Sequence, residues 1–246
     1  GQNVEIISMD SALVCRGMDI GTAKPTAAEQ AEVIHHLIDI RDPSESYSAA
    51  HFVNDAKQLI EKIQARGNIP LIVGGTMLYW RAWVYGFSKL PPADPETRKR
   101  IDAEALLLGW PGMHAKLAQI DPITAYRLQP NDSQRIQRAL EVYALTGQPL
   151  SQLFEESPSA TGRDSELSEH AVEVISLEPS NRISLHARLE DRFDQMLENN
   201  FMDEVRALFE RGDLHTNLPA IRSVGYRQVW EYLEGKVDYP TMKQKA

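Results

Sequence analysis

Asp10 closes the apolar run Val4, Ile6 and Ile7 and is the first residue of the chain whose type and place could do chemistry. A carboxylate at a strand end, in a partly dry cleft, can take a proton from a weak nucleophile. The same residue type in the same place also forms turns and caps helices. Gly74, Gly75 and Thr76 follow a second apolar run, Ile69, Leu71, Ile72 and Val73, and open a helix at Met77. Backbone N–H groups and a hydroxyl at a helix N-terminus receive anionic ligands, while a threonine there is equally an ordinary cap. Arg192 stands three residues after Leu189 and seven after Leu185, so helical periodicity sets it beside a buried stripe. An arginine so directed needs an anion, either an acidic side chain or a phosphate-bearing ligand.

Two further groups are basic. Arg98, Lys99 and Arg100 form one cluster and Arg135 with Arg138 another. Such clusters serve as solvated helix faces or as footprints for nucleic acid, and the acidic residues around them favour the first use. Lys24, in GTAKP, is a diphosphate candidate or an ordinary loop lysine. His35 and His36 are adjacent, so in a strand they face opposite ways and do not share a metal. Cys15 has no partner motif for nucleophilic chemistry and reads as a packed thiol.

Two short apolar strands, near residues 4–8 and 69–73, flank a helix whose apolar positions are Phe52, Ala56, Leu59, Ile60 and Ile63. Ser46 or Ser48 caps it and Gly67 stops it. Strand, helix, strand with continuous apolar strands means a parallel sheet covered by helices, with ligands beyond the carboxyl ends of the strands. Asp10 and the Gly74–Thr76 turn therefore share one side of the sheet. From Pro91 to about Gly162 helical patterns run through Thr97–Leu108, Met113–Ile120 and Ser133–Leu145. The last is bounded by Asp132 or Ser133 and by Gly147 and Pro149, with Gln134, Arg135 and Arg138 largely off its apolar face. Ser157–His170 reads as a loop back to the core. Val172, Val174, Ile175 and Leu177 then suggest a third strand, followed by a helix marked by Leu185, Leu189, Phe193, Met196 and Leu197 and another around Val229 and Trp230.

Over 246 residues the chain carries 26 Lys+Arg against 35 Asp+Glu, a net charge of −9, with 42% hydrophobic and 25% charged residues. That composition excludes disorder, collagen and coiled-coil arrays and fits one large domain or two small ones. No apolar run approaches the roughly 18 to 20 residues of a membrane span, and the opening residues lack the zones of a signal peptide. A cytoplasmic, membrane-free protein is the expectation. With one cysteine and no CxxC or HExxH spacing, neither a disulfide nor a structural zinc is expected. The acidic balance leaves room for a local basic groove.

The strings ISMDSALVCRGMDIGTAKP, HHLIDIRDPSESYSAAHF, IPLIVGGTMLYWRA, QPNDSQRIQRALEVYALTG and RLEDRFDQML…LPAIRSVGYRQ closely resemble, in this order, the tRNA dimethylallyltransferases, also called tRNA isopentenyltransferases. The resemblance spans essentially the whole chain and implies a P-loop NTPase-like parallel α/β core over 1–90 and 168–246. A helical insertion over 91–167 would grip the tRNA anticodon stem-loop. The activity implied is transfer of the dimethylallyl group from dimethylallyl diphosphate to the exocyclic amine of adenosine at tRNA position 37, with Mg²⁺ assisting and diphosphate released. By motif, Asp10 matches the general base, Arg192 the arginine on the diphosphate and Thr76 a position in the reaction channel. Asp10, Ser11, Ala12 and Leu13 match tRNA-contacting positions, as do Arg98, Gln134, Arg135, Ile136, Gln137 and Arg138. So does the run Asn217, Leu218, Pro219, Ala220, Ile221 and Arg222.

The sequence departs from the family's pattern at three places. The family's Gly-rich phosphate loop is expected ahead of residue 1, its usual basic C-terminal helix beyond residue 246, and an aromatic residue where Cys15 stands. A polypeptide without that loop is expected to show little or no transfer, and the Mg²⁺ ligands are not named by the motifs present. Rival readings are an adenylate isopentenyltransferase acting on free nucleotides, a non-catalytic RNA-binding remnant, and a small-molecule P-loop kinase. The basic positions of the insertion weigh against the first, and DSAL with QRIQR against the third. A monomer is expected.

Overall fold

A computed structural model of the chain describes residues 3–86, 90–155 and 172–246. They belong to two compact units, Gly1–Ala82 with Glu173–Ala246, and Trp83–Val172.

The first unit is built on three parallel strands, β1 (Val4–Ser8), β2 (His35–His36) and β3 (Ile69–Val73), in the order β2-β1-β3. β1 is central, pairing Ile6 with His35 and Ser8 with Val73. Between β2 and β3 runs α2 (Ala49–Ala65), which buries Phe52, Ala56 and Ile63 completely. The Ser48 hydroxyl accepts from His51 N at 3.2 Å and Gly67 follows the helix end at φ +76°. The expected strand–helix–strand unit is therefore present, and of the two candidate caps, Ser46 and Ser48, it is Ser48 that caps the helix. At the amino end of the sheet Glu5, 1% exposed, accepts from Arg66 Nη2 (2.7 Å) and Asn68 Nδ2 (2.7 Å) and pairs with His36 Nε2 (2.7 Å). These hydrogen bonds, Arg66 first, hold its carboxyl down to about 2. His35 instead turns to Val33 O at 2.7 Å, so the two histidines have separate structural partners.

One expected strand is absent. Val172, Val174, Ile175 and Leu177 form no strand and pair with no strand among the described residues, and they are 43 to 94% exposed. β3 correspondingly has no second neighbour among the described residues, and Ile69, Leu71 and Val73 are exposed. An alternating apolar run becomes a strand only where a partner ladder receives its N–H and C=O groups.

The rest of this unit is helical: α1 (Ala27–Glu32), α3 (Met77–Tyr85), whose last residues belong to the second unit, α8 (Arg182–Glu198), α9 (Phe201–Glu210), α10 (Tyr226–Leu233) and α11 (Tyr239–Lys245). Its core joins Val14 and Met18, from the loop after β1, to Phe201, Ile221, Tyr226, Val229 and Met242.

The second unit comprises α4 (Pro95–Ile120), α5 (Pro122–Arg127), α6 (Ser133–Thr146) and α7 (Leu150–Glu155). α4 is interrupted at Gly109, whose φ of 68° and ψ of 162° lie outside the helical region, just before Pro111. This is where the sequence separates two helical patterns. α6 has the expected bounds, with Asp132 capping at Arg135 N (3.3 Å) and Gly147 left-handed at its end. Ile136, Ala139 and Leu140 pack with Ile101, Met113 and Leu117. The loop expected over Ser157–His170 lies outside the described residues. Among the described residues no helix is long and apolar enough to cross a membrane.

Candidate active site and arginine cluster

Because β1 and β3 are parallel neighbours, their carboxyl ends present two loops side by side. Met9 N donates to Val73 O at 2.7 Å, and Thr76 N reaches back to Met9 O at 3.3 Å. Gly74 is required at this crossing, since a Cβ there would stand 2.2 Å from Met9 O. Asp10 follows at once. Its Oδ1 accepts from Ala12 N (2.7 Å) and Leu13 N (3.1 Å), while Oδ2 has no partner among the described residues. One oxygen is thus spent orienting the carboxylate and the other is open. Thr76 Oγ1 accepts from Ser11 N at 3.1 Å and lies 3.4 Å from Ser11 Oγ. Its side chain therefore ties α3 to the Asp10 loop instead of capping its own helix. Below it, Tyr79 is buried against Phe52, and burial, then the charge of Asp10, pushes its hydroxyl up to about 12.

The loop from Asp10 to Lys24 is clamped at two further points. Lys24, whose side chain is 4% exposed, donates to Cys15 O (2.8 Å), Asp19 Oδ1 (2.5 Å) and Asp39 Oδ1 (2.5 Å). An ammonium has three donors and all three are engaged within the protein, which weighs against Lys24 as a diphosphate ligand and for a structural tie. Farther along, Glu204 of α9 accepts from the backbone N–H groups of Asp19 (2.9 Å), Ile20 (2.8 Å) and Gly21 (3.2 Å) and from the Tyr226 hydroxyl (2.5 Å). A Cβ at Gly21 would collide with Phe201 and Tyr226. Burial raises the Cys15 thiol to about 11, as suits a packed thiol.

Arg192 differs from expectation. α8 contains no buried residue, and Arg192 is exposed with no ion pair or hydrogen bond to a described residue. Only Phe193, Met196 and Leu197 of its apolar stripe pack on the core, while Leu189 is 51% exposed. The period defines a stripe but not which turns of it are covered. In the turns before α10, Ala220 and Ile221 are buried in the core, whereas Asn217, Pro219 and Arg222 are exposed and Leu218 is half-buried. The side chains of Ala220 and Ile221 therefore support this segment from beneath.

In the helical unit the structure brings together Arg98 and Arg138 and adds a residue the sequence did not single out. Glu141 is fully buried, and its carboxylate accepts from Arg98 Nε (2.8 Å) and Nη2 (3.1 Å), Arg138 Nη1 (2.6 Å) and Asp94 N (2.8 Å). Arg138 Nη2 also donates to Pro91 O at 2.6 Å. Burial opposes ionisation of Glu141, but the hydrogen bonds from Arg98, Arg138 and Asp94 outweigh it and hold the carboxyl below its usual range. A signal for Glu141 was available: it lies three residues after Arg138 and beside the apolar positions Leu140 and Val142. Glu204 gave no such sign, because its loop partners are 183 to 185 residues away in sequence. Arg135, 74% exposed, pairs only with Asp132. Gln137 donates to Asp102 Oδ1 at 2.5 Å, Gln134 is exposed, and Ile136 is wholly buried. No group of three or more His, Cys, Asp or Glu side chains among the described residues could hold a metal, so the residues described do not fit a protein-only metal cage.

Residues 13–246 match the family model of the IPP transferases. The chain is 61% identical over 246 residues to the tRNA dimethylallyltransferase of Polynucleobacter asymbioticus, covering all of this chain and 74% of that protein. It is 58% identical over 244 residues to that of Cupriavidus necator, covering 99% and 75%. Among solved structures, it is similar to the full-length tRNA isopentenylpyrophosphate transferase of Bacillus halodurans, with a TM-score of 0.63 and 38% identity over 98% of this chain and 72% of that one. A eukaryotic dimethylallyltransferase acting on tRNA gives 0.67 and 27%, covering 98% and 60%. This chain, with a two-loop site on a parallel sheet and a helical unit bearing an arginine cluster, matches that family model over most of its length and these relatives at up to 61% identity, and it belongs to the IPP transferase family, that of the tRNA dimethylallyltransferases.

Proposed function

We propose that the protein transfers the dimethylallyl group of dimethylallyl diphosphate to the exocyclic amine of adenosine at tRNA position 37. The observation that carries this reading is the Asp10 carboxylate, fixed through one oxygen by two amides with the other oxygen open. The adenine amine attacks the allylic carbon, the carbon–oxygen bond to diphosphate breaks, and the amine proton passes to Asp10 Oδ2. A neutral aromatic amine is a poor nucleophile until it is positioned and relieved of that proton, which requires the base out of its stack. Ser11 and Thr76, bonded to each other, border the channel on this reading. Exposed Arg192, with its guanidinium donors unspent, neutralises the leaving diphosphate. Mg²⁺ would arrive with the diphosphate, held by substrate phosphates and at most one or two carboxylates, and would supply charge neutralisation there. The helical insertion over 91–167, through Arg98 and Gln134–Arg138, and the segment Asn217–Arg222 are proposed to hold the anticodon stem-loop. A monomer suffices for all of these roles.

The test is transfer of labelled dimethylallyl from its diphosphate to an anticodon stem-loop carrying adenosine at position 37, with AMP as a parallel acceptor, using the complete native protein and Asp10→Ala. Label in the RNA, reduced about 10²- to 10⁴-fold in the variant, is the expected outcome for loss of a general base. Label in AMP alone overturns the RNA assignment in favour of a nucleotide isopentenyltransferase. Binding of RNA with no label in either acceptor overturns the enzymatic one.

A further inference from the structure

We infer that Glu141 is the positioning residue of the arginine cluster, presenting Arg98 and Arg138 to RNA phosphates from a fixed point between α4 and α6. The inference rests on the proposal that these arginines meet RNA. A single fully buried carboxylate receives two guanidinium groups and one backbone amide. Each guanidinium carries five N–H donors, and among the described residues each arginine here spends two of them, Arg98 on Glu141 and Arg138 on Glu141 and Pro91 O. The unspent donors are not sealed in, since the side chains of Arg98 and Arg138 are 40% and 28% exposed. A buried ionic network is a poor device for stability alone, because replacing the whole network by apolar side chains of similar volume is often as stable. What it does supply is geometry: Asp94, which opens α4 by accepting from Thr97 N at 2.8 Å, is bound to the same carboxylate through its own N–H. The helix start and both arginines are therefore fixed relative to one another before RNA arrives. Side chains ordered in advance lose less entropy on binding. Arg135, with 74% exposure and one i,i+3 partner, has no such support.

Three roles for Glu141 predict different results for Glu141→Gln in the complete protein, assayed with the anticodon stem-loop. If Glu141 positions the arginines, the RNA KM rises about 5- to 20-fold while kcat and the KM for dimethylallyl diphosphate move less than about twofold, the signature of lost binding that is shared by ground and transition states. The slope of log KM against log salt then becomes shallower by about one, as lost phosphate contacts require. If Glu141 only offsets charge, removing it strengthens attraction to RNA and KM falls, which overturns the inference. If it only joins the helices, the melting temperature falls with the RNA KM and its salt slope unchanged below the transition, which also overturns it. Should Glu141→Gln not fold, Glu141→Asp, which keeps the charge and withdraws the carboxylate by one methylene, is read by the same criteria. Arg98→Ala and Arg138→Ala separate this inference from the one beneath it. If neither raises the RNA KM, the RNA-binding reading fails and this inference with it; if both do and the Glu141 variants do not, this inference alone fails.

Discussion

The two units each contain a charged knot made from the same ingredients in opposite proportion. In the α/β unit one ammonium, Lys24, sits among three acceptors, and its donors are exhausted. In the helical unit one carboxylate, Glu141, sits among two guanidinium groups, and six N–H donors have no partner among the described residues. Lys24 is 4% exposed, while Arg98 and Arg138 keep part of their surface in water. Residue type alone would have made all three cations anion-binding candidates. Counting donors against acceptors separates a closing tie from a presenting one, since only an unspent donor on an accessible group can meet a phosphate.

The sharpest way to break this contrast sets Lys24 against Arg192 on the same substrate. Arg192→Ala is expected to lower kcat/KM for dimethylallyl diphosphate about 100-fold, as removal of a charge clamp on a leaving group does, whereas Lys24→Met leaves it within about threefold. A large loss in the Lys24 variant with unchanged stability would return that residue to the donor site. The cost of Lys24→Met should fall on folding instead, about 2 kcal/mol in denaturant titration. This is below the usual value for a broken buried pair, because Asp19 and Asp39 are themselves partly exposed. Acid provides a third comparison. The folded Glu141 carboxyl lies below its ordinary value of 4.5, so its stabilisation is fully present above that pH and is lost as pH falls through the lower folded value. Glu141→Gln should flatten that acid limb in thermal melts of the whole protein; an unaltered limb would mean that the two arginines do not hold the carboxylate ionised. The smallest effect is expected for Lys99→Ala, which removes only an exposed i,i+3 pair with Glu96 and should change stability by less than about 0.5 kcal/mol.

Some features were legible because they depend on neighbours in sequence. The Ser48 cap, the Asp132 and Gly147 bounds of α6 and the break between the helical patterns at Gly109 were of this kind. The meeting of Asp10 with Thr76 was legible at one remove, since parallel neighbours must bring their carboxyl ends together. The third strand was not, because Val172–Leu177 has the pattern of a strand and lacks a ladder to join. The exposure of Arg192 was not legible for a related reason: a helix can carry an apolar stripe of which only part is covered.

The sequence by itself determined the parallel α/β plan, the placing of Asp10 at a strand end and, through its ordered motifs, the family. Turn, cap and periodicity preferences act over a few residues, and family motifs survive as strings, so both are present in the linear chain. Only the tertiary structure decided how the charges are used. Lys24 is consumed by partners up to 15 residues away, Arg98 reaches Glu141 across 43, and Glu204 clamps the loop after Asp10 across 183 to 185. Whether a cation is spent or available depends on which acceptors folding brings within about 3 Å of it, and no local preference encodes that distance.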